Sequence, residues 1–249
     1  MKSTLKMAFA AADVVVAEAS IACSPAALAP SSSAVAPSSA AVVASSSAAV
    51  PTSSEAVAPS SEPSSSQQVA RLTVAGTDVN GPALRLTVDL PSDWQSFTWG
   101  AERGTSSPPA GMAFVVSTVD NTFADPCSHR QRSPKVGPTV EALATALGEV
   151  PNTTATKPVQ TTIAGHKATY IELAIPASLP CEPSQFYLWQ DSPDGDWWVQ
   201  GLNETARVWI LEVGGKRVTF LAHSYPGSGD GAKAEFQKIL DSVVFDVGS

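Results

Sequence analysis

Cationic side chains are scarce in this 249-residue chain. Fifteen Lys and Arg stand against 23 Asp and Glu, for a formal net charge of −8. Nucleic acid presents phosphates that need a basic surface, so that partner is excluded. Simple electrostatic attachment to anionic lipid is excluded on the same ground. Solubility is the plain consequence of the acidity. The three histidines, His129, His166 and His223, are too scattered to read as a joint metal site. The three cysteines, Cys23, Cys127 and Cys181, include no C-x-x-C spacing. Neither a metal nor a cofactor is expected. Also absent are Gly-x-Ser-x-Gly, His-Glu-x-x-His and any phosphate-cradling or dinucleotide fingerprint. Gly227-Ser228-Gly229 lacks the strand-and-helix frame of a nucleophile elbow. No catalytic residue is assigned, and the chain reads as a non-enzyme.

Long hydrophobic runs are missing too. The longest near the N-terminus, Met7 to Ala17, has about eleven residues, too few to span a bilayer. It follows the basic segment Met1 to Lys6, in the manner of a signal peptide, although Asp13 opposes entry into an apolar channel. Ser20-Ile21-Ala22-Cys23 then resembles a bacterial lipobox, with Ser20 where leucine is usual. That reading makes residues 1–23 a signal segment and Cys23 the lipidated N-terminus, on the outer face of the cytoplasmic membrane. Two alternatives stand: a signal peptide cut near Ala22, or a segment never exported.

Residues 24–68 are nearly all Ser, Ala, Pro and Val, with Ala-Pro-Ser-Ser recurring at Ala29, Ala36 and Ala58. They contain no aromatic residue to offset the entropy of ordering. A disordered tether with polyproline-II bias is expected, able to hold a domain away from a membrane. Residues 69–249, roughly 180, suit one domain with its own core.

That domain is written largely in strands. Leu84, Leu86, Val88 and Leu90 alternate with polar residues, and Trp94 follows as a core anchor. Gly100 to Gly111 reads as a loop, and Met112 to Val119 as a buried strand. Asp120 to Gly137 reads as irregular. Thr139 is placed to cap a helix whose apolar stripe is Val140, Leu143, Ala144 and Leu147. A hairpin about Ala164-Gly165-His166 follows, then strands at Phe186 to Trp189 and Trp197 to Gln200. Ala206 to Phe245 organises the rest: strand, Gly214-Gly215 turn, strand, mobile loop, amphipathic helix with Phe236, Ile239 and Leu240, and a short exit strand. Large apolar groups on both sides of Val208 to Val213 predict a central strand covered on both faces.

This C-terminal order, ending in Ile239-Leu240-Asp241-Ser242, resembles the Mog1/PsbP-like α/β sandwich. The region from about Leu84 resembles an extracytoplasmic domain of actinobacterial lipoproteins. The stretches that carry it are Thr118 to Cys127, Val136 to Val140, Arg207 to Leu211 and Ile239 to Ser242. The resemblance implies an α+β fold, an antiparallel sheet flanked by a few helices, and brings no catalytic residues with it.

Cys127 and Cys181 lie in Pro-containing loops of a chain that looks exported, so a disulfide is the natural reading. A metal or redox site with His129 is the alternative. Among the aromatics, Trp189, Trp197 and Trp198 are singled out as a recognition patch, because Trp combines area with a polar tip. Packing is the competing role, since about half of a strand's side chains face the core. The functional expectation is an envelope-anchored, non-enzymatic binding or accessory module for a cell-wall glycan, a peptide or an envelope protein. A hydrolase using the 120–132 loop, with Asp120 and Asp125, together with Glu172 is one alternative. A structural spacer is the other.

Overall fold

The computed structural model describes residues 67–76, 83–191 and 195–246. The expected signal segment, Cys23 and the tether lie outside them, apart from Gln67 and Gln68, which open the first strand. In chain order, β1 (Gln67–Thr73) pairs with β2 (Arg85–Pro91), and β3 (Trp94–Phe97) with β4 (Gly100–Arg103). β5 (Met112–Ser117) and β6 (Val119–Asp125) follow, and β7 (Arg130–Gln131) returns on β6. Next come α1 (Val140–Gly148), β8 (Thr154–Ala155), β9 (Val159–Ile163) and β10 (His166–Ala174). The chain continues through β11 (Tyr187–Asp191), β12 (Gly195–Trp198), β13 (Thr205–Val213) and β14 (Lys216–Ser224). It closes with α2 (Ala232–Asp241) and β15 (Val244–Asp246).

The β13–β14 hairpin is the centre of the main sheet. Gly214 and Gly215 have φ of 57° and 76°, the two positive values that a type I′ turn demands. The main sheet is antiparallel, in the order β3-β4-β5-β14-β13-β10-β8, with β9 also on β10. Strand period two splits β13 between two cores. Trp209, Leu211 and Val213 enter the first core, with Leu72, Leu86 and Leu90 of the β1-β2-β15 sheet and Phe236, Ile239 and Leu240 of α2. Val208 and Ile210 enter the second, with Leu143 and Leu147 of α1 and Leu188 and Trp189 of the β12-β11-β6-β7 sheet. The central strand is therefore covered on both faces. The architecture is α+β, antiparallel sheets flanked by two helices among the described residues.

Local chemistry fixes the joints. The Thr139 hydroxyl accepts a hydrogen bond from the Ala142 amide at 3.1 Å, capping α1, and Glu141 sits in the first turn where the helix dipole favours it. Arg217 of β14 donates to the carbonyls of Thr139 at 3.0 Å and Val119 at 2.7 Å, and also to Gly137. The hairpin is thereby tied to the start of α1. Cys127 and Cys181 form a disulfide, with Cα atoms 5.8 Å apart across 54 residues of sequence.

Two segments differ from expectation. Gly100–Arg103 is a strand, where a loop was expected. A side chain at Gly100 would strike the Phe114 carbonyl at 2.4 Å and the Phe97 ring at 2.8 Å, so this glycine serves close strand packing and does not mark a break. Val119–Asp125 is a second strand, which from Asp120 onward runs through a stretch expected to be irregular. Its polar residues hid the alternation. Asn121, buried, donates to the Arg132 carbonyl at 3.1 Å and accepts from the amides of Thr122 at 3.0 Å and Val136 at 3.2 Å. A side chain spent on fixing a neighbouring loop leaves no hydrophobic signature.

Candidate functional site: an aromatic cleft over a buried Glu–His pair

At one end of the second core, strands from distant parts of the chain leave a cavity of about 420 Å³. The β3–β4 turn contributes Thr98 and Trp99, β12 contributes Trp197 and Trp198, and Val115 of β5 and His223 of β14 lie beneath. Phe97, Glu102, Ser106, Ala113 and Gln200 complete the lining. Trp99 meets Phe97 edge-to-face at 4.7 Å and Trp197 at 6.4 Å, arrangements that aromatic quadrupoles favour. Trp99 and Trp198 are 41% and 42% exposed, unusual for side chains of this size.

The sequence-singled tryptophans divide. Trp197 and Trp198 line the cleft. A bulge in β11 between Tyr187 and Trp189 twists this strand pair, placing Tyr187 opposite Trp198 and Trp189 opposite Trp197. Trp189 is buried behind Trp197, its ring stacked at 6.2 Å, and its Nε1 donates to Asp191 Oδ1 at 2.9 Å. Ser117 donates to the same oxygen at 3.1 Å. Burial pushes the Asp191 carboxyl up to about 7, against the pull of those two donors.

Under the cleft sits a pair that the sequence did not reveal. Glu204 and His223 are both 1% exposed. Glu204 Oε2 accepts from the Gln200 amide at 2.8 Å and from the Tyr225 hydroxyl at 3.3 Å. Glu204 Oε1 lies 3.9 Å from His223 Nδ1, too far for a hydrogen bond. Burial pushes Glu204 up to about 7 and His223 down to about 4. Between those values the pair is carboxylic acid and neutral imidazole. Burial and the neighbouring carboxyl push the Tyr225 phenol up as well. Glu204 Oε1, His223 Nδ1 and Trp197 Nε1 are buried polar atoms without a hydrogen-bond partner, which is costly unless something else meets them.

The other sequence candidates are elsewhere. With Cys127 and Cys181 joined, His129 is not part of a thiol site. Its Nε2 lies 2.7 Å from Asp196 Oδ2, and its ring packs on Tyr187 at 3.9 Å. Asp120 pairs with Lys135 at 2.6 Å, and Asp125 accepts from the Ser128 hydroxyl at 2.7 Å. Glu172 accepts from the Tyr170 hydroxyl at 2.7 Å and faces Arg207 at 3.4 Å. Tyr170 packs on the first core, and Cys127 and Val136 on the second. The sheet therefore separates Glu172 from the 120–132 loop, and the proposed hydrolase groups are not brought together. Among the described residues no group of three or more His, Cys, Asp or Glu is placed to hold a metal ion, and no helix is long and apolar enough to cross a membrane.

Phe97, Trp99, Glu204 and His223 went unread for identifiable reasons. Trp99 adjoins Gly100, which reads as the start of a loop, and Glu204 lies in the short polar stretch Asn203-Glu204-Thr205 between two strands. His223 is one of three scattered histidines, and no spacing links positions so far apart.

No family model and no curated protein matches the chain. Solved structures do. One is LpqN of Mycobacterium tuberculosis, described as involved in cell envelope biogenesis; it is 10% identical, with a TM-score of 0.39, over 71% of this chain and 91% of LpqN. Another is the cyanobacterial PsbP of Synechocystis sp. PCC 6803, 11% identical, with a TM-score of 0.34, over 74% of this chain and 96% of that one. At these TM-scores neither likeness supports an inference about ligand or activity.

Proposed function

We propose that this protein is a non-enzymatic binding module of the cell envelope. It is exported, held at the outer face of the cytoplasmic membrane by a lipid on Cys23, and takes a small envelope ligand in the aromatic cleft. The observation that carries the reading is the cleft itself: a concave site of about 420 Å³ walled by Phe97, Trp99, Trp197 and Trp198, with polar groups beneath. A spacer domain has no use for two half-exposed tryptophans flanking a cavity, and the hydrolase reading lacks converging groups. The disulfide suits an oxidising compartment.

Two measurements test this. Intact mass of the membrane-extracted protein should show a diacylglyceryl group on Cys23, and an unprocessed Met1 would end the anchoring reading. Fractionated envelope components should alter the tryptophan fluorescence of the full chain, and Trp198→Ala should move the response to about tenfold higher concentration without lowering Tm. A response indifferent to Trp198 would sink the cleft as the binding site.

A further inference from the structure

We infer that the ligand of this cleft is a neutral sugar ring, stacked on the exposed tryptophans and hydrogen-bonded through a hydroxyl to Trp197 Nε1 and His223. The inference rests on the binding reading above and adds the chemical class.

Charge removes one class. Glu102 is in the lining and no lysine or arginine is, so an anionic ligand meets no cation to offset its desolvation. Hydrogen bonding removes two more. Trp197 Nε1 is a donor, and Glu204 Oε1 and His223 Nδ1 are also unmet. The Trp197 and His223 rings are neighbours, with centroids 6.0 Å apart. An ammonium ligand only donates, so it leaves the indole N–H unpaired. An apolar chain leaves all three atoms unpaired. A hydroxyl accepts and donates at once, and so meets an unpaired N–H and a neutral imidazole together. Burial keeps the imidazole neutral down to about pH 4, which preserves that acceptor across the physiological range.

Shape agrees with this chemistry. A pyranose or furanose ring offers a C–H face that packs on an indole, and an edge of hydroxyls that must find polar partners. Trp99 and Trp198 supply half-exposed faces, and Thr98, Ser106 and Gln200 supply polar rim groups. Trp197 and His223 belong to the lining while their unpaired nitrogens are buried, so the Trp197 indole must turn before a ring hydroxyl can reach its Nε1.

The test titrates the full chain with neutral trisaccharides of glucose, mannose, galactose, arabinose and N-acetylglucosamine. The cationic glucosamine trimer and the anionic galacturonate trimer serve as charged comparators. Calorimetry and tryptophan fluorescence are the readouts. At least one neutral trisaccharide should bind, and the anionic one should not. Trp198→Ala, Trp99→Ala and Trp197→Phe should each weaken binding about tenfold at unchanged Tm. Tighter binding of the cationic trimer overturns the sugar assignment in favour of an ammonium ligand. Failure of every sugar, alongside Trp198-dependent binding of an apolar probe such as bis-ANS or of an envelope peptide, overturns the sugar and leaves the cleft standing. If no probe binds in a Trp198-dependent way, both readings fall.

Discussion

The two faces of the central sheet obey different rules. On the first face, β13 and β14 present Trp209, Leu211, Val213, Val218, Phe220 and Ala222 to a core of aliphatic and aromatic groups, and Ser224 is the buried polar exception among the described strand residues. On the second face the same strands bury Thr219 and His223, beside Ser117 of β5 and Thr169 of β10, with Glu204 next to His223. Burying a carboxyl and an imidazole without a mutual hydrogen bond is a cost that an apolar pair of the same size would not carry. The first face is built to hold the fold. The second holds it too, but accepts penalties at the end where the cleft opens, and penalties of this kind concentrate at functional sites.

The largest contrast should come from truncation. Phe236, fully buried and edge-to-face with Trp94 at 5.9 Å, belongs to the first core, and Phe236→Ala should cost about 3–5 kcal/mol by thermal or urea denaturation. Next comes the crosslink beside the second core. Cys127→Ser with Cys181→Ser should cost about 2–4 kcal/mol, because the unfolded chain regains a loop spanning 54 residues. An unchanged Tm would mean that packing alone holds that end together.

The Glu204–His223 pair predicts a pH signature of smaller size. In the unfolded chain Glu204 titrates near 4.5 and His223 near 6.5; in the folded protein the values are about 7 and about 4. From pH 4.5 to 6.5 the unfolded chain holds one proton on the histidine, and the folded chain holds one on the glutamate. Proton counts match, so the pair adds no slope to stability there. Glu204→Gln leaves the histidine alone, and the pair's contribution to stability should then rise with pH from about 4 to 6.5. His223→Gln leaves the carboxyl alone, and that contribution should fall as pH climbs from 4.5 to about 7. Each excursion, relative to the wild type, should be on the order of 3 kcal/mol in denaturation curves measured across that range. Parallel curves for the two variants would show that the groups titrate normally. The smallest effect belongs to Trp198→Ala, which should move stability by about 0.5 kcal/mol or less, since a half-exposed side chain has little burial to lose.

Legibility in the sequence followed the same division. The β13–β14 hairpin, α2, the Leu84–Leu90 strand and Trp94 were readable because periodicity reports burial, and burial is all that those residues do. The Cys127–Cys181 bridge was readable from loop context and the cysteine count. Gly100 misled because the letter that marks a turn also marks a close strand approach. Asn121 misled because its hydrogen bonds serve a loop. Trp197 and Trp198 could be singled out by composition, but their partners Phe97, Trp99 and His223 arrive through strand pairing of β3 with β4 and of β5 with β14, and pairing across a hundred residues leaves no local trace.

The stacked indoles of Trp189 and Trp197, 6.2 Å apart and inclined by 16°, have an optical consequence. Two chromophores this close share their excited states, and the shared transition depends on their mutual angle. One is locked in the core by Asp191 and the other faces the cleft. Any tilt of Trp197 should therefore register as a changed exciton couplet in the far-ultraviolet circular dichroism, with no label attached. The protein carries its own goniometer, with one arm clamped and the other at the surface.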